Sequence, residues 1–303
     1  MPSGPPIVLT TDFGIADPYV GMMKGVILSI NPQASIIDLS HQIQPQNLPQ
    51  AAFILGASHH YFPHDAIHVV VVDPGVGTGR SILLLVTPTA RFLAPDNGVL
   101  SRVLLDHLPN PPNQPGRVTD SVLVPDGCSV YALSNPEYWR QPVSNTFHGR
   151  DIFAPVAAHL SLGVEPAELG EKVGQVAWLP SPEPVQEGDV IRGQVIYQDH
   201  FGNLITNIPE RLLARAEPGT TRITVTIKGE SISGLSRTFH DEPDSSGKGP
   251  AEKTPSETSL LALIGSHGYL EIAVRDGSAA QVLSAQAGEL VSVIIPGSGT
   301  AKP

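Results

Sequence analysis

Cysteine is almost absent from this chain of 303 residues, in which Cys128 stands alone. A single cysteine excludes an internal disulfide and any cysteine-based zinc site. Positive charge is also scarce, because 18 Lys and Arg face 29 Asp and Glu and the formal net charge is −11. No cluster of Lys or Arg forms a basic patch, so we expect no nucleic-acid partner.

Long hydrophobic runs are missing as well. No apolar run approaches the ~20 residues that a membrane helix requires. Residues 1–6 lack the basic segment and apolar core of a signal peptide. We therefore predict a soluble, cytoplasmic protein without a membrane partner. HExxH motifs and DxD pairs with ligand spacing are also absent, so we expect no metal.

What is present is a regular alternation of short apolar strands and helices up to about residue 162, which predicts an α/β fold with a largely parallel sheet. Three prolines between Leu179 and Pro184 then indicate a linker. Beyond it, apolar residues recur with period two and no helices intervene, which favours a small β-barrel. We predict an N-terminal α/β sandwich domain (1–180) and a C-terminal β-barrel domain (187–303). Segment Pro109–Gly116 is predicted to be a surface loop, and His240–Ser256 a long polar insertion.

The most informative segment is Val69–Arg80, four valines followed by Asp73-Pro74 and a glycine-rich turn that ends at Arg80. An apolar strand that ends in this way places a charged group at the carboxyl edge of the sheet, where ligands bind in open α/β folds. The glycines allow the chain to fold back, so we predict contact between Asp73 and Arg80. The guanidinium is then expected to keep the Asp73 carboxylate ionised and to lower its basicity.

Other polar residues also follow predicted strands or precede helices. The alternative for each is a cap or a turn, which Asp and Asn form routinely. We accept that alternative for Asp17 and Asp151. His148 lies in a turn ahead of a helix and can relay a proton near neutral pH. The complete set of such residues is Asp12, Asp38, Ser40, His41, Asp73, Arg80, Asp96, Asn97, His148, Arg150 and Asp151.

Each of two further segments can be interpreted either as a ligand-binding site or as a simple turn. The Gly75–Gly79 run could hold phosphate, but it lacks the Gly-Lys-Ser/Thr ending of a P-loop and the full GxGxxG spacing. In Asp199–Ile208, Phe201 could stack on a heterocycle and Asn203 could pair with its edge. The alternative there is a β-turn with Gly202 in a left-handed conformation. Residues 266–268 are similarly ambiguous.

Taken together, several motifs in order resemble those of the S-adenosylmethionine (SAM) hydroxide adenosyltransferases, the adenosine-forming SAM hydrolases related to fluorinase and chlorinase. The resemblance covers Ile7 to about Val293. The motifs that carry it are Thr11–Gly14, Asp38–His41, Val72–Gly77, Ala94–Gly98, Phe147–Pro155, Phe201–Asn203 with Thr206–Ile208, and Gly268–Ala273.

The resemblance implies a homotrimer whose active sites lie at subunit interfaces, and a reaction in which water attacks ribose C5′ of SAM to give adenosine and methionine without a cofactor. It places the water-activating triad on Asp73, Arg80 and His148. Asp12 matches the acid that holds the ribose hydroxyls and Asp199 the acid that meets the methionine ammonium. Phe201 and Asn203 match residues toward adenine, and Ser266 one toward the methionine end.

Some positions depart from the halogenating relatives. Those relatives carry an aromatic residue where Asp73 stands and lack His148, which favours water over halide as the nucleophile. A Trp on the ribose in fluorinase aligns with Gln46, and an Arg after the serine aligns with His267. The alternatives that stay open are a SAM halogenase and a sensor that binds SAM or adenosine without turnover.

Overall fold

The computed structural model describes residues 4–108, 121–214, 223–240 and 260–296. The predicted loop at 109–116 and most of the predicted insertion, 241–256, lie outside these ranges. The chain divides into two compact units, Met1–Ser181 and Pro182–Pro303. Among the helices in the described ranges, none combines the length and apolar character needed to cross a bilayer.

In its described residues, 4–108 and 121–181, the first unit contains nine strands, four α-helices and four short 3-10 or π helices. Its regular elements are β1 (Ile7–Thr11), α1 (Tyr19–Ile30), β2 (Ile36–Ser40), α2 (Leu48–Ser58), β3 (Ile67–Val71), β4 (Ile82–Val86), β5 (Arg91–Pro95), α3 (Ser101–Leu105), β6 (Ser121–Leu123), β7 (Ser129–Leu133), α4 (Ala154–Ser161), β8 (Gly170–Val173) and β9 (Gln175–Ala177). The 3-10 helices are His59–Tyr61, Pro136–Tyr138 and Pro166–Glu168, and a π-helix at Gly149–Phe153 leads into α4.

Seven of these strands form one sheet in the order β2-β1-β3-β5-β4-β7-β8. The first four are mutually parallel, and the pairs from β5 onward are antiparallel. Strands β6 and β9 form a separate antiparallel pair. The predicted α/β fold is confirmed, with parallel pairing confined to one half of the sheet.

Strand β3 shows why the sheet is covered by helices on both faces. Its residues alternate between two cores: Val69 and Val71 pack with residues of α1 and α4, whereas Val70 and Val72 pack with residues of α2 and α3. A strand that is buried on both faces favours apolar residues at nearly every position, which explains the valine run. The helices thus leave the strand ends as the places where polar side chains can gather.

Two predicted helix caps are wrong. Helix α1 begins after Pro18, and no side chain caps it, so Asp17 makes no cap. Asp151 lies inside the π-helix, fully buried, and its carboxylate pairs with arginines rather than with free helix amides.

The second unit is an antiparallel β structure around one core. Its elements are β10 (Val185–Glu187), β11 (Val190–Gln198), β12 (Leu204–Pro209), α5 (Glu210–Leu213), β13 (Thr224–Ile227), β14 (Glu230–Ser233), β15 (Leu260–Ile264), β16 (Tyr269–Val274), α6 (Ala279–Leu283) and β17 (Leu290–Ile294). The strand order is β14-β13-β17-β11-β12-β16-β15, with β10 added to β11. A bridge between Ser236 and Leu263 links the two edges of the sheet, so the predicted barrel is confirmed as a nearly closed one.

His68 is the one polar residue of β3, and it lies on the same face of the strand as Val70. Its side chain is fully buried, it stacks on Phe92 with ring centroids 5.0 Å apart, and Phe62 meets it edge-on. Neither ring nitrogen has a hydrogen-bond partner among the described residues. Burial, with a smaller contribution from His59, lowers the pKa of His68 to about 4.

His68 is therefore predicted to make folding sensitive to acid. Its folded pKa lies below the unfolded value of about 6.5, so stability is full above pH 6.5 and falls as the pH drops toward 4, by up to about 3 kcal/mol from this group. We expect His68→Leu, which is close in volume and cannot be protonated, to flatten this fall in urea unfolding measured from pH 7 to pH 4. The exposed His64→Leu serves as control, and a pH dependence of His68→Leu as steep as that of the wild type would contradict the assignment.

Candidate active site

The carboxyl ends of the four parallel strands meet at one edge of the sheet, and each delivers polar residues there. Asp12 follows β1, His41 follows β2, Asp73 follows β3 and Asp96 follows β5. Because the strands run in the same direction, these residues share an edge. Asp96 is used structurally, since its Oδ1 accepts from the Ala177 amide at 2.7 Å.

The loop after β3 closes on itself. The Val76 amide donates to the Asp73 carbonyl at 3.3 Å, and the Thr78 hydroxyl donates to the Gly75 carbonyl at 2.7 Å. Gly77 adopts φ +79°, a conformation that favours glycine. The turn returns the chain so that Nη2 of Arg80 donates to Oδ2 of Asp73.

The Asp73 carboxylate is held on both oxygens. The Gly75 amide donates to Oδ1 at 3.0 Å, while Arg80 takes Oδ2. The side chains of Asp73 and Arg80 are only 5% and 14% exposed. Such a pair is charged, hydrogen-bonded and largely withdrawn from water.

The pKa of Asp73 is raised, which differs from the sequence-based expectation. Burial is the largest cause; Arg80, the Gly75 amide and His148 act in the opposite direction, and the charge of Asp12 raises the pKa further. Arg80 does lower the pKa of this carboxylate, as expected, but desolvation outweighs the ion pair and the net shift is upward. A carboxylate of raised pKa is a better acceptor for a proton from water.

His148 directly precedes the π-helix, and its charge lowers the pKa of Asp73, so the two side chains lie within electrostatic reach. Beside it, Phe13, Tyr19 and Phe147 form an aromatic cluster with centroids 5.2 to 5.8 Å apart. A π-helix turn is uncommon and frequently marks a functional site. The first unit thus places Asp12, Asp73, Arg80 and His148 in one neighbourhood.

Asp151 is a supporting residue that sequence reasoning missed. Arg150 binds it through two contacts of 2.7 Å, from Nε to Oδ1 and from Nη2 to Oδ2, and the Ser144 amide donates to Oδ2 at 2.9 Å. Its backbone carbonyl accepts from the Arg140 amide at 2.8 Å. Asp151 therefore fixes the segment before His148, and that segment includes Asn145, which packs against Gly77.

Asp12 has a defined orientation. Its Oδ2 accepts from the Gln46 amide at 2.8 Å, and Gln46 itself adopts φ +64°. The other carboxylate oxygen is not engaged by this bond, so it can accept from a ligand hydroxyl.

In the second unit, the segment after β11 is a tight turn. Asp199 Oδ1 accepts from the Asn203 amide and Oδ2 from the Asn203 side chain, both at 2.8 Å. Gly202 is left-handed at φ +84°, as the turn alternative predicts. Phe201 lies at the tip of the turn and is 75% exposed, with the His200 ring against it at a centroid distance of 5.9 Å.

The turn between β15 and β16 carries Ser266 and His267, both exposed. Nδ1 of His267 lies 3.6 Å from Oε1 of the buried Glu271. Glu271 raises the pKa of His267, and the charge of Asp199 raises it further, against the effect of burial. This end of the barrel therefore combines two carboxylates with a histidine that tends toward its charged form.

Within the described ranges, no group of three or more His, Cys, Asp or Glu side chains is arranged to hold a metal ion. The chemistry that the site can perform with its own side chains is proton acceptance by Asp73, with Arg80 as its ion-pair partner and His148 within electrostatic reach.

Comparison with known proteins gives a consistent result across the chain. Residues 7–170 match the SAM hydroxide adenosyltransferase N-terminal domain and residues 193–292 match the C-terminal domain. Proteins named (R)-S-adenosyl-L-methionine hydrolase are similar: that of Salinispora arenicola is 32% identical and covers 97% of this chain and 99% of its own length, and that of Thermus thermophilus is 34% identical with 95% and 99% covered.

A crystal structure of an uncharacterized conserved protein from Thermotoga maritima superposes with a TM-score of 0.80 at 33% identity, covering 95% of this chain and 99% of that one. Proteins named fluorinase are more distant, at 26% identity for that of Nocardia brasiliensis, which covers 95% of this chain and 96% of its own length.

Proposed function

Because the chain belongs to the SAM hydroxide adenosyltransferase family, we propose that it hydrolyses S-adenosyl-L-methionine to adenosine and L-methionine. The observation that carries this proposal is the buried, Arg80-paired Asp73 whose pKa is raised at the carboxyl edge of the parallel strands. Relatives named (R)-S-adenosyl-L-methionine hydrolase over nearly the full length support the same substrate.

In the proposed mechanism, Asp73 accepts a hydrogen bond from a water molecule and aligns it with the C5′–S bond. The water oxygen attacks C5′, the C5′–S bond breaks, and its electron pair leaves with methionine as a neutral thioether. Asp73 accepts the proton that the water loses, and His148 is placed to pass it on. Alignment of the water and proton acceptance both lower the barrier.

The remaining residues are proposed to bind the substrate. Asp12 holds the ribose hydroxyls and Asp199 the methionine ammonium, both by charge-assisted hydrogen bonds. Phe201 stacks on adenine and Asn203 lies beside it, fixed by its bond to Asp199. Ser266 contacts the methionine end of the substrate. The homotrimer with active sites at subunit interfaces, the absence of a cofactor and the cytoplasmic location remain predictions.

Two alternatives differ in their products. A halogenase would form a halogenated adenosine, and the distant fluorinase relatives motivate that possibility; Asp73 and His148 argue against it. A sensor would bind SAM or adenosine without product, which the weak nucleophilicity of water motivates.

The decisive experiment incubates purified protein with each sulfonium epimer of SAM in H₂¹⁸O and identifies the products by mass spectrometry. We expect adenosine and methionine from SAM, with ¹⁸O in the 5′-hydroxyl of adenosine. Halogenated adenosine in the presence of chloride or fluoride would support the halogenase. Binding in calorimetry with no product after long incubation would support the sensor.

The raised pKa of Asp73 gives a pH prediction. Turnover requires the ionised carboxylate, so kcat/KM should fall on the acid side with a midpoint above the ~3.9 of an ordinary aspartate. The measurement is kcat/KM from pH 4 to pH 9. A profile whose acid limb lies at or below the ordinary aspartate value would contradict Asp73 as the proton acceptor.

A further inference from the structure

A series of four polar side chains lies next to the Asp12 loop and is not used by the proposed mechanism. The Thr11 hydroxyl lies 2.9 Å from Nδ1 of His41, and Nε2 of His41 lies 2.9 Å from Oδ1 of Asp38. The other Asp38 oxygen accepts from the Lys24 ammonium at 2.6 Å. These four side chains therefore connect β1, β2 and α1.

The contacts of Thr11 favour one assignment of hydrogens, although Nε2 of His41 lies close to Asp38 without a well-aligned hydrogen bond to it. Thr11 Oγ1 accepts from the Phe13 amide at 3.2 Å and donates its own hydrogen to Nδ1 of His41. His41 then carries its hydrogen on Nε2, facing Asp38. Burial acts to raise the pKa of Asp38, but Lys24 and His41 together lower it, which keeps this carboxylate an acceptor.

The order hydroxyl, imidazole, carboxylate is that of a nucleophilic triad. Burial rules out that use, because Thr11 is fully buried and His41 is 6% exposed. A hydroxyl without access to a ligand cannot attack it. The side chains of Thr11, His41 and Asp38 must therefore serve another purpose.

The contacts of His41 show which segment these side chains hold in place. The His41 carbonyl accepts from the Gly14 amide at 2.7 Å, while the His41 ring holds Thr11. Asp12 lies between these two anchors. The Asp12 carboxylate is held in turn by the amide of Gln46, which belongs to the segment that follows His41. His41 thus fixes the Asp12 loop from its side chain and its backbone.

We propose that His41 is a positioning residue that sets the orientation of Asp12 toward the ribose hydroxyls of the ligand, with Asp38 and Lys24 holding the imidazole in place. The inference rests on the proposed function for the identity of the ligand. It assigns His41 no contact with substrate. Its effect should pass entirely through Asp12, which makes it separable from a general structural role.

A double-mutant cycle tests this coupling. The variants are His41→Ala, Asp12→Ala and the double variant, with KM and kcat for SAM and the Kd for adenosine as readouts. We expect His41→Ala to raise KM and the adenosine Kd roughly tenfold, the lower end of what residues that orient a binding group contribute, with a smaller change in kcat. In the Asp12→Ala background, His41→Ala should change neither value further. His41→Asn, which can still donate or accept toward Thr11, should recover part of the loss.

His59→Ala is the matched control. His59 is also buried and lies 3.6 Å from a carboxylate, that of Asp106, and its ring packs on Phe92. We expect its effects to be the same with and without Asp12. Thermal unfolding of every variant separates loss of fold from loss of orientation.

The outcomes distinguish the inference from the function. Turnover by the wild type with additive effects of His41→Ala and Asp12→Ala overturns the inference alone. Absence of turnover with coupled effects on the adenosine Kd overturns the hydrolase and supports the inference. A wild type that binds neither SAM nor adenosine overturns both.

Discussion

Asp73→Asn is expected to reduce the hydrolysis of SAM by about 10³-fold, within the range that a positioned proton acceptor contributes. Asparagine keeps the size of the side chain and can still accept from the Gly75 amide, which donates to Oδ1 at 3.0 Å in the wild type. It cannot take the proton that water loses. The loss should therefore fall on kcat, and calorimetry should show SAM binding little changed.

Asp17→Asn is the control for a change of net charge, since Asp17 is exposed and caps no helix. Its turnover should equal that of the wild type. Removing the carboxylate also leaves Arg80 without its charged partner in a buried place, so thermal unfolding must accompany the kinetics. Wild-type turnover in a folded Asp73→Asn protein would exclude Asp73 from the chemistry.

Gly77→Ala is expected to lower kcat by about 10²-fold, although residue 77 touches no substrate. The added Cβ would lie 2.5 Å from the Asn145 carbonyl oxygen, and the residue would have to keep φ near +79°. Either the loop between Asp73 and Arg80 or the segment around Asn145 must therefore shift. A displacement of about 1 Å between catalytic groups lowers the rate by about this factor, because water must stay aligned with the C5′–S bond.

The same loop supplies the control. A Cβ at Gly79 meets no atom within 4 Å, and Gly79 has no positive φ. Gly79→Ala should therefore retain turnover, while both variants lose a comparable amount of chain flexibility in the unfolded state. Equal losses in the two variants would show that flexibility of the loop, not the close approach to Asn145, matters.

The sequence was sufficient to predict the features that depend on local patterns. The valine run that ends at Asp73 predicted a buried strand, because consecutive apolar residues indicate burial on both faces. The glycines before Arg80 predicted a loop that reverses direction, because glycine adopts the backbone angles that such a loop needs. Period-two segments likewise predicted most strands of the barrel. Strand β12 was treated as a possible ligand segment, since its polar Thr206 and Asn207 obscure the pattern although both are buried.

Features that depend on distant residues could not be predicted in this way. The direction of the Asp73 pKa shift is a balance between burial and Arg80, and burial is decided by the packing of the whole edge. Asp151 resembled a helix cap because a helix follows it, yet Arg140, eleven residues earlier, and Arg150 together make it a buried ion-pair centre. The Thr11–His41 contact spans 30 residues and has no sequence signature.

The left-handed backbone of Gln46 has a consequence for how the family can diversify. Any residue with a Cβ bears about 1–2 kcal/mol of backbone strain at φ +64°, and Gln46 already bears it. The Gln46 amide also holds Asp12, so relieving that strain by rotating the backbone would release the carboxylate. A substitution at residue 46 can therefore affect the proposed ribose site in two ways, through the new side chain and through the backbone amide that orients Asp12.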